Sequence, residues 1–311
     1  HNYLLTILIV NFLSGSLGSG TLRKMQAIIS TNINFVTTAG DQNQPSIGEL
    51  EDGGIIFVWT GPDSSGKGIY CQIYNRDGNV RTSEFLVNQY TLNDQSQPKV
   101  AGLKDGNFIV VWTSYGQDGD LNGVFGREFD PYGVPLSNDF QVNTYTANDQ
   151  VEPDICALKN GDFVVAWSSY GQDSSGYGIY FQVFQPDRTP RSSELRANTY
   201  TTNDQLGPSL ACLNDGNFIV GWTTMAPQDS SSSSVFARYY QYDGTTSEVP
   251  VKINQIPQGP QQNIKIAPLV DGNVAVTFTS PDSSDDGIMV LVLESNLFTV
   301  GFEKPSNDVI Q

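Results

Sequence analysis

The sequence predicts an all-β chain folded as a five-bladed β-propeller, and three observations predict it. The tryptophans Trp59, Trp112, Trp167 and Trp222 are separated by 53, 55 and 55 residues, and Phe278 takes the same place 56 residues after Trp222. A fixed period of that size marks a repeat architecture. The surrounding text repeats too: Asn143-Thr-Tyr-Thr-Ala-Asn-Asp-Gln150 returns as Asn198-Thr-Tyr-Thr-Thr-Asn-Asp-Gln205 and, more loosely, as Asn88-Gln-Tyr-Thr-Leu-Asn-Asp-Gln95. Within each unit, runs of β-branched and aromatic residues are punctuated by Gly, Pro, Asn and Asp, the pattern of short strands joined by tight turns.

The third unit shows the elements in order. Glu152-Pro-Asp-Ile-Cys-Ala-Leu158 reads as a short apolar first strand, ended by Lys159-Asn-Gly161. Asp162-Phe-Val-Val-Ala-Trp-Ser168 is the second strand, and the polar loop Tyr170-Gly-Gln-Asp-Ser-Ser-Gly176 follows. Gly178-Ile-Tyr-Phe-Gln-Val-Phe184 is the third strand, and Glu194-Leu-Arg-Ala-Asn198 closes the unit. The first turn is Asp-Gly or Asn-Gly in every unit (Asp52-Gly53, Asp105-Gly106, Asn160-Gly161, Asp215-Gly216, Asp271-Gly272). That dipeptide readily adopts positive φ, as a tight hairpin requires, so the first two strands pair antiparallel. The second strand, Phe108-Ile-Val-Val-Trp112 in the second unit, does not alternate with polar residues and should be covered on both faces. Four antiparallel strands, repeated radially and covered on both sides, describe a propeller blade; a linear solenoid is the other arrangement. The expected body spans residues 33–304, with blades at about 37–90, 91–145, 146–200, 201–256 and 257–304. For ring closure, residues 33–37 compete with residues 297–300.

Composition narrows the function. A net charge of −17 disfavours nucleic acid and anionic membranes and favours cations or basic partners. His1 is the single histidine, which excludes Ser-His-Asp and Cys-His catalysis and histidine-ligated zinc. Residues 1–22 hold an apolar run followed by small residues, like a secretory signal. This places the chain outside the cell or on its surface. If the segment is retained, it becomes a docking element for self-assembly or a membrane-associated complex. Of the cysteines Cys71, Cys156 and Cys212, the last two occupy adjacent places in successive repeats, which leaves both a bridge and buried thiols open.

In an up-and-down meander, the loop leading into strand one and the loop between strands two and three share one face. The former carry Asp94-Gln95, Asp149-Gln150 and Asp204-Gln205; the latter carry Asp63, Asp118, Asp173, Asp229 and Asp282, with Asp120, Asp285 and Asp286 close by. Tyr115, Gln117, Tyr170 and Gln172 stand among them, while Glu84, Asp139, Glu194 and Glu248 are expected on the opposite face. Such oxygen-rich loops suit Ca²⁺, and they equally suit Asx-turns that merely shape the loop. The tyrosines with neighbouring Asp and Gln suit a glycan. The repeat residues Trp59, Trp112, Trp167, Trp222 and Phe278 are expected in the core. One catalytic chemistry survives the lack of histidine, glycoside hydrolysis by paired carboxylates. It needs single, non-equivalent acids near the channel, whereas the acids noted above recur at equivalent positions.

The consensus Asn-x-Tyr-Thr-x-Asn-Asp-Gln, Leu-x-Asp-Gly-x-Phe-x-Val-x-Trp and Tyr-Gly-Gln-Asp-x-Ser-Gly-x-Gly-Ile-Tyr resembles a tandem repeat of large secreted or surface proteins of bacteria and ciliates. It covers roughly residues 37–295 and is strongest in the second to fourth units. The resemblance implies a surface or matrix role. The expectation is therefore a non-catalytic interaction or structural module whose Asp-rich face holds Ca²⁺. A multivalent lectin is the first alternative and a propeller glycoside hydrolase the second.

Overall fold

The computed structural model describes residues 40–225, 232–254, 259–281 and 286–294. Residues 1–22, 33–37 and 297–300, on which the readings of the leader and of ring closure rest, lie outside them. The described chain is all β and forms a five-bladed propeller. Blade one is β1 (Asn43–Glu49), β2 (Ile55–Pro62), β3 (Lys67–Tyr74) and β4 (Phe85–Leu86). Blade two is β5 (Gln95–Gly102), β6 (Phe108–Tyr115), β7 (Asn122–Phe129) and β8 (Phe140–Gln141). Blade three is β9 (Gln150–Ala157), β10 (Phe163–Tyr170), β11 (Tyr177–Phe184) and β12 (Leu195–Arg196). Blade four is β13 (Gln205–Cys212), β14 (Phe218–Thr224), β15 (Ser234–Tyr240) and β16 (Val251–Lys252). Blade five comprises β17 (Gln262–Pro268), β18 (Val274–Pro281) and β19 (Asp286–Leu293) among the described residues. Neighbouring strands of each blade pair antiparallel in sequence order.

The first strands lie innermost and pack successively, β1 on β5, β5 on β9, β9 on β13 and β13 on β17. Blades are held to one another by apolar layers, because the second strand is buried along both faces. Between blades two and three, Ile109, Val111 and Val124 meet Phe163, Val165 and Trp167; between three and four, Val164, Ala166 and Phe181 meet Phe218, Val220 and Trp222. Each of these tryptophans thus faces the preceding blade. The outer face of blade five differs: Ile288, Val290 and Val292 are exposed, whereas Val124, in the place of Ile288, is buried against blade three.

The repeated Asn-x-Tyr-Thr-x-Asn-Asp-Gln text is a buried hydrogen-bond clamp. Asn143 Oδ1 accepts from Val124 N at 2.7 Å, while its Nδ2 donates to Tyr145 O at 2.9 Å and to Gln150 Oε1 at 3.1 Å. Gln150 Nε2 in turn donates to Ala147 O at 2.8 Å. The same clamp joins Asn88 to Gln95, Asn198 to Gln205 and Asn254 to Gln261. It also explains the Asn before Asp-Gln, since Asn93, Asn148 and Asn203 hold φ values of 61°, 62° and 58°, a region that Asn tolerates better than most residues. Cys156 and Cys212 form a disulfide that ties β9 to β13, so the bridge is the outcome of the two alternatives, and Cys71 is a buried free thiol. Burial pushes the Cys71 thiol well up.

Candidate functional site

Two regions collect polar side chains, the loop face and the wall of the central channel. On the loop face, the loops leading into blades two, three and four do meet the strand two-to-three loops. Tyr115 N donates to Asp94 O, Tyr170 N to Asp149 O and Met225 N to Asp204 O. Asn122 Nδ2 donates to Asp149 Oδ1 at 2.7 Å, Tyr177 N to Asp204 Oδ1 at 3.0 Å, and Lys67 pairs with Asp94 at 3.9 Å. Asp63 Oδ1 accepts from Ser65 N and Gly66 N, Asp118 Oδ1 from Asp120 N and Asp173 Oδ1 from Ser175 N, so one oxygen of each shapes its own loop. Asp120 Oδ2 accepts from Asn148 N at 2.8 Å. Tyr115 and Tyr170 are exposed.

Several readings of this face need correction. Gln95, Gln150 and Gln205 are fully buried in the clamps and cannot meet a ligand. Asp139 and Glu194, assigned to the opposite face, are reached from the loop face: Gln117 Nε2 donates to Asp139 Oδ2 at 3.5 Å and Gln172 Nε2 to Glu194 Oε2 at 2.8 Å. Asp229, Asp282 and Asp285 lie outside the described residues, as does the side chain of Asp286. No group of three or more His, Cys, Asp or Glu able to hold a metal occurs among the described residues.

The channel wall is built by a bulge repeated in all five innermost strands, where the pairing register with the second strand slips. The bulged residues Gln44, Gln97, Glu152, Gly207 and Asn263 all hold positive φ, from 53° to 61°. Bulges re-aim side chains and turn up beside active sites. Here they build a belt that passes from blade to blade. Gln44 Oε1 accepts from Thr60 Oγ1 at 3.0 Å and from Gln97 N at 2.9 Å. Gln97 Oε1 accepts from Thr113 Oγ1 at 2.9 Å and from Glu152 N at 3.0 Å. Glu152 Oε2 accepts from Ser168 Oγ at 3.2 Å and from Gly207 N at 2.9 Å. Two residues along, Asp154 Oδ2 accepts from Leu210 N at 2.8 Å, and Ser209 Oγ accepts from Ile266 N at 3.0 Å in the next blade.

Charge enters this wall only where the repeat is broken. The bulge carries Gln, Gln, Glu, Gly and Asn around the ring, and the position two residues later carries Ser46, Lys99, Asp154, Ser209 and Lys265. Burial pushes the Asp154 carboxyl up, opposed by the positive charges of Lys99 and Lys265 and by the Leu210 amide. Burial lowers Lys265, as does Lys99, against the pull of Asp154 and Glu152. Asp154 and Lys265 therefore each respond to the other and to Lys99. None of Lys99, Glu152, Asp154 and Lys265 was singled out from the sequence, where 152–158 read as an apolar strand. The available signal was the departure of residues 99, 152, 154 and 265 from their repeat equivalents.

Comparison with solved structures places this fold among known ones. A protein of unknown function from Dyadobacter fermentans superposes with a TM-score of 0.60 at 11% identity, over 82% of this chain and 79% of that one. An alpha-L-arabinanase of Penicillium chrysogenum, complexed with arabinobiose, gives 0.54 at 14% identity over 82% and 81%. An endo-arabinase of Bacteroides thetaiotaomicron gives 0.50 at 13% over 82% and 95%. No family model matches the chain, and no curated protein matches it. These findings overturn the expectation of a non-catalytic module and of a chain that is not an enzyme. Glycosidases share its fold over four fifths of its length, and the ground for setting catalysis aside, that its acids recur at equivalent positions, fails at Glu152 and Asp154.

Proposed function

We propose that this propeller hydrolyses glycosidic bonds in a neutral polysaccharide, with Glu152 and Asp154 as the carboxylate pair. One observation carries the reading: the fold does not need these charges. Gln44 and Gln97 make the same two belt contacts with a neutral amide oxygen that Glu152 makes with a carboxylate, and Ser209 holds the next blade's amide as Asp154 does. Charge placed in a crowded wall without a structural need is a functional-site signal. Glycosidases use two carboxyl groups whose surroundings separate their proton affinities. Asp154, raised by burial, is suited to protonate the leaving oxygen. Glu152 is the second carboxylate, with Oε2 anchored by Ser168 and Gly207. The net charge of −17 favours neutral over anionic glycans.

The test is reducing-sugar release from a panel of neutral polysaccharides with arabinan included, the substrate class named for two of the structural neighbours. Glu152→Gln and Asp154→Asn preserve the belt acceptors, and each is expected to lower kcat/KM by about 10²–10⁴-fold, the usual worth of a positioned acid or base. Cleavage that survives both substitutions, or no cleavage of any polysaccharide in the panel, refutes the assignment.

A further inference from the structure

The loop face holds a second constellation, independent of the channel, which occurs twice. In blade two, Ser114 Oγ, Gln117 Oε1, Asp118 Oδ2 and Asp139 Oδ1 are buried oxygens without a hydrogen-bond partner. In blade three, Ser169 Oγ, Gln172 Oε1 and Asp173 Oδ2 are likewise buried and unpartnered, beside Glu194. Ser114 and Ser169 are each 0% exposed. The register aims them into the corner: Ser114 lies opposite Gly123 and Ser169 opposite Gly178. A Cβ on Gly123 would stand 2.5 Å from Asp118 Oδ2, and one on Gly178 would stand 2.9 Å from Asp173 Oδ2. The carboxylate therefore leans into the space left by glycine, on the serine's side of the sheet.

The nitrogen ends of this corner are already engaged. Gln117 and Gln172 spend their Nε2 groups on Asp139 and Glu194, and those acids are gripped from the preceding blade by Gln89 N and Tyr90 N, and by Thr144 N and Tyr145 N. What is left turned inward is oxygen: four atoms in blade two, Asp118 Oδ2 and Asp139 Oδ1 among them, and three in blade three, where Asp173 Oδ2 is the unmet carboxylate oxygen because both Glu194 oxygens already accept hydrogen bonds. One further polar group shares the face, the unpartnered indole N–H of Trp112 or Trp167. In blade four the corresponding indole, Trp222 Nε1, donates to Thr224 Oγ1 at 3.2 Å, at the position of the two serines. Buried acceptors in excess cost roughly 1–3 kcal/mol apiece when left unmet. A single water donates two hydrogen bonds, fewer than the unmet oxygens of either corner.

We propose that these corners are two related divalent-cation sites and that Ca²⁺ is the ion that fits them. Ca²⁺ takes six to eight oxygens at flexible distances and accepts a mixed set of carboxylate, amide, hydroxyl, carbonyl and water ligands. Asp118, Asp139, Gln117 and Ser114 supply one set; Asp173, Glu194, Gln172 and Ser169 supply the other. The indole N–H donates to a ligand water or to a ligating carboxylate. Each ion would pin a strand two-to-three loop to the outer edge of its own blade, at the seam with the preceding blade.

The experiment uses the full chain stripped with EDTA. Ca²⁺ titration by calorimetry is expected to give two equivalents that vanish together in Asp118→Asn/Asp173→Asn, and the melting temperature should rise with Ca²⁺ and fall back with EDTA. Tb³⁺ should show luminescence sensitised by excitation of Trp112 and Trp167, lost in the same variant. Near-UV circular dichroism of the variant checks that it is folded, and the wild-type titration stands without it. Absence of any Ca²⁺-dependent melting shift and Tb³⁺ signal in the wild-type chain overturns the proposal, leaving the corners to water. Binding that persists unchanged in the double variant also overturns it.

Discussion

Opening the Cys156–Cys212 bridge should loosen the same wall that carries the acid pair. The bridge spans 56 residues of sequence and joins the inner strands of two successive blades. Closing a loop of that length removes denatured-state entropy worth about 4 kcal/mol in the chain-entropy model. For a body of this size, each kcal/mol moves the midpoint by about 2–4 °C, so Cys156→Ser/Cys212→Ser should melt roughly 8–15 °C lower. The effect should reach the channel, because Cys156 follows Asp154 by two residues and Cys212 follows its partner Leu210 by two. The assay is calorimetry of the wild-type chain with and without reductant, beside the double variant, with hydrolysis measured in parallel. Thiol titration in denaturant supplies the check: the oxidised chain should show one reactive thiol, Cys71, and the reduced chain three. Three thiols without reductant, or a double variant that melts with the wild type, would refute the reasoning.

Two further outcomes follow from the inner strands. Gly102→Ala should destabilise the seam between blades one and two, because its Cβ would fall 2.0 Å from the Glu49 carbonyl oxygen. Overpacking of this kind costs about 1–3 kcal/mol or more, and an unchanged melting temperature would show that the strands separate freely there. The proton affinity of Asp154 gives the second. Burial raises its folded pKa above that of an ordinary aspartate, so its neutral form suits the fold and the wild-type chain loses stability as pH rises through that pKa. The melting temperature of Asp154→Asn relative to wild type should therefore climb across this window and then level off. Lys99→Met removes a charge that holds the carboxyl down, so it should move the alkaline limb of kcat/KM to higher pH; an unmoved limb sinks the role of Asp154 as the acid.

The fold was legible because its determinants are local and repeated. The Trp period, the Asp-Gly and Asn-Gly hairpins and the unbroken apolar second strands each specify a strand or a turn without reference to distant residues. The meaning of Asn-x-Tyr-Thr-x-Asn-Asp-Gln was not legible. Its Asn and Gln are surface-type residues by composition, and only the return of the loop onto Val124 shows that Asn143 and Gln150 are buried partners. The contact of Gln117 with Asp139 was missed for a related reason: alternation of loops assigns ends of a blade, but a long side chain can reach past the end to the outer strand.

The acid pair was illegible because a repeat invites averaging. Aligning the five units to find what they share turns Glu152 and Asp154 into noise on a strand whose consensus is neutral, and the bulge hides that they reach the channel at all. Symmetry carries the opposite information for function. A residue present in every blade answers a need that every blade has, such as a turn, a clamp or a seam. A channel has one axis and a substrate is not five-fold, so chemistry on that axis requires positions where one blade departs from the rest. Lys99, Glu152, Asp154 and Lys265 are such departures, all at the bulged residue or two positions after it. The serine and carboxylate corners obey the other rule, recurring 55 residues apart as Ser114 and Ser169, Gln117 and Gln172, Asp118 and Asp173, which marks them as belonging to the seams between blades.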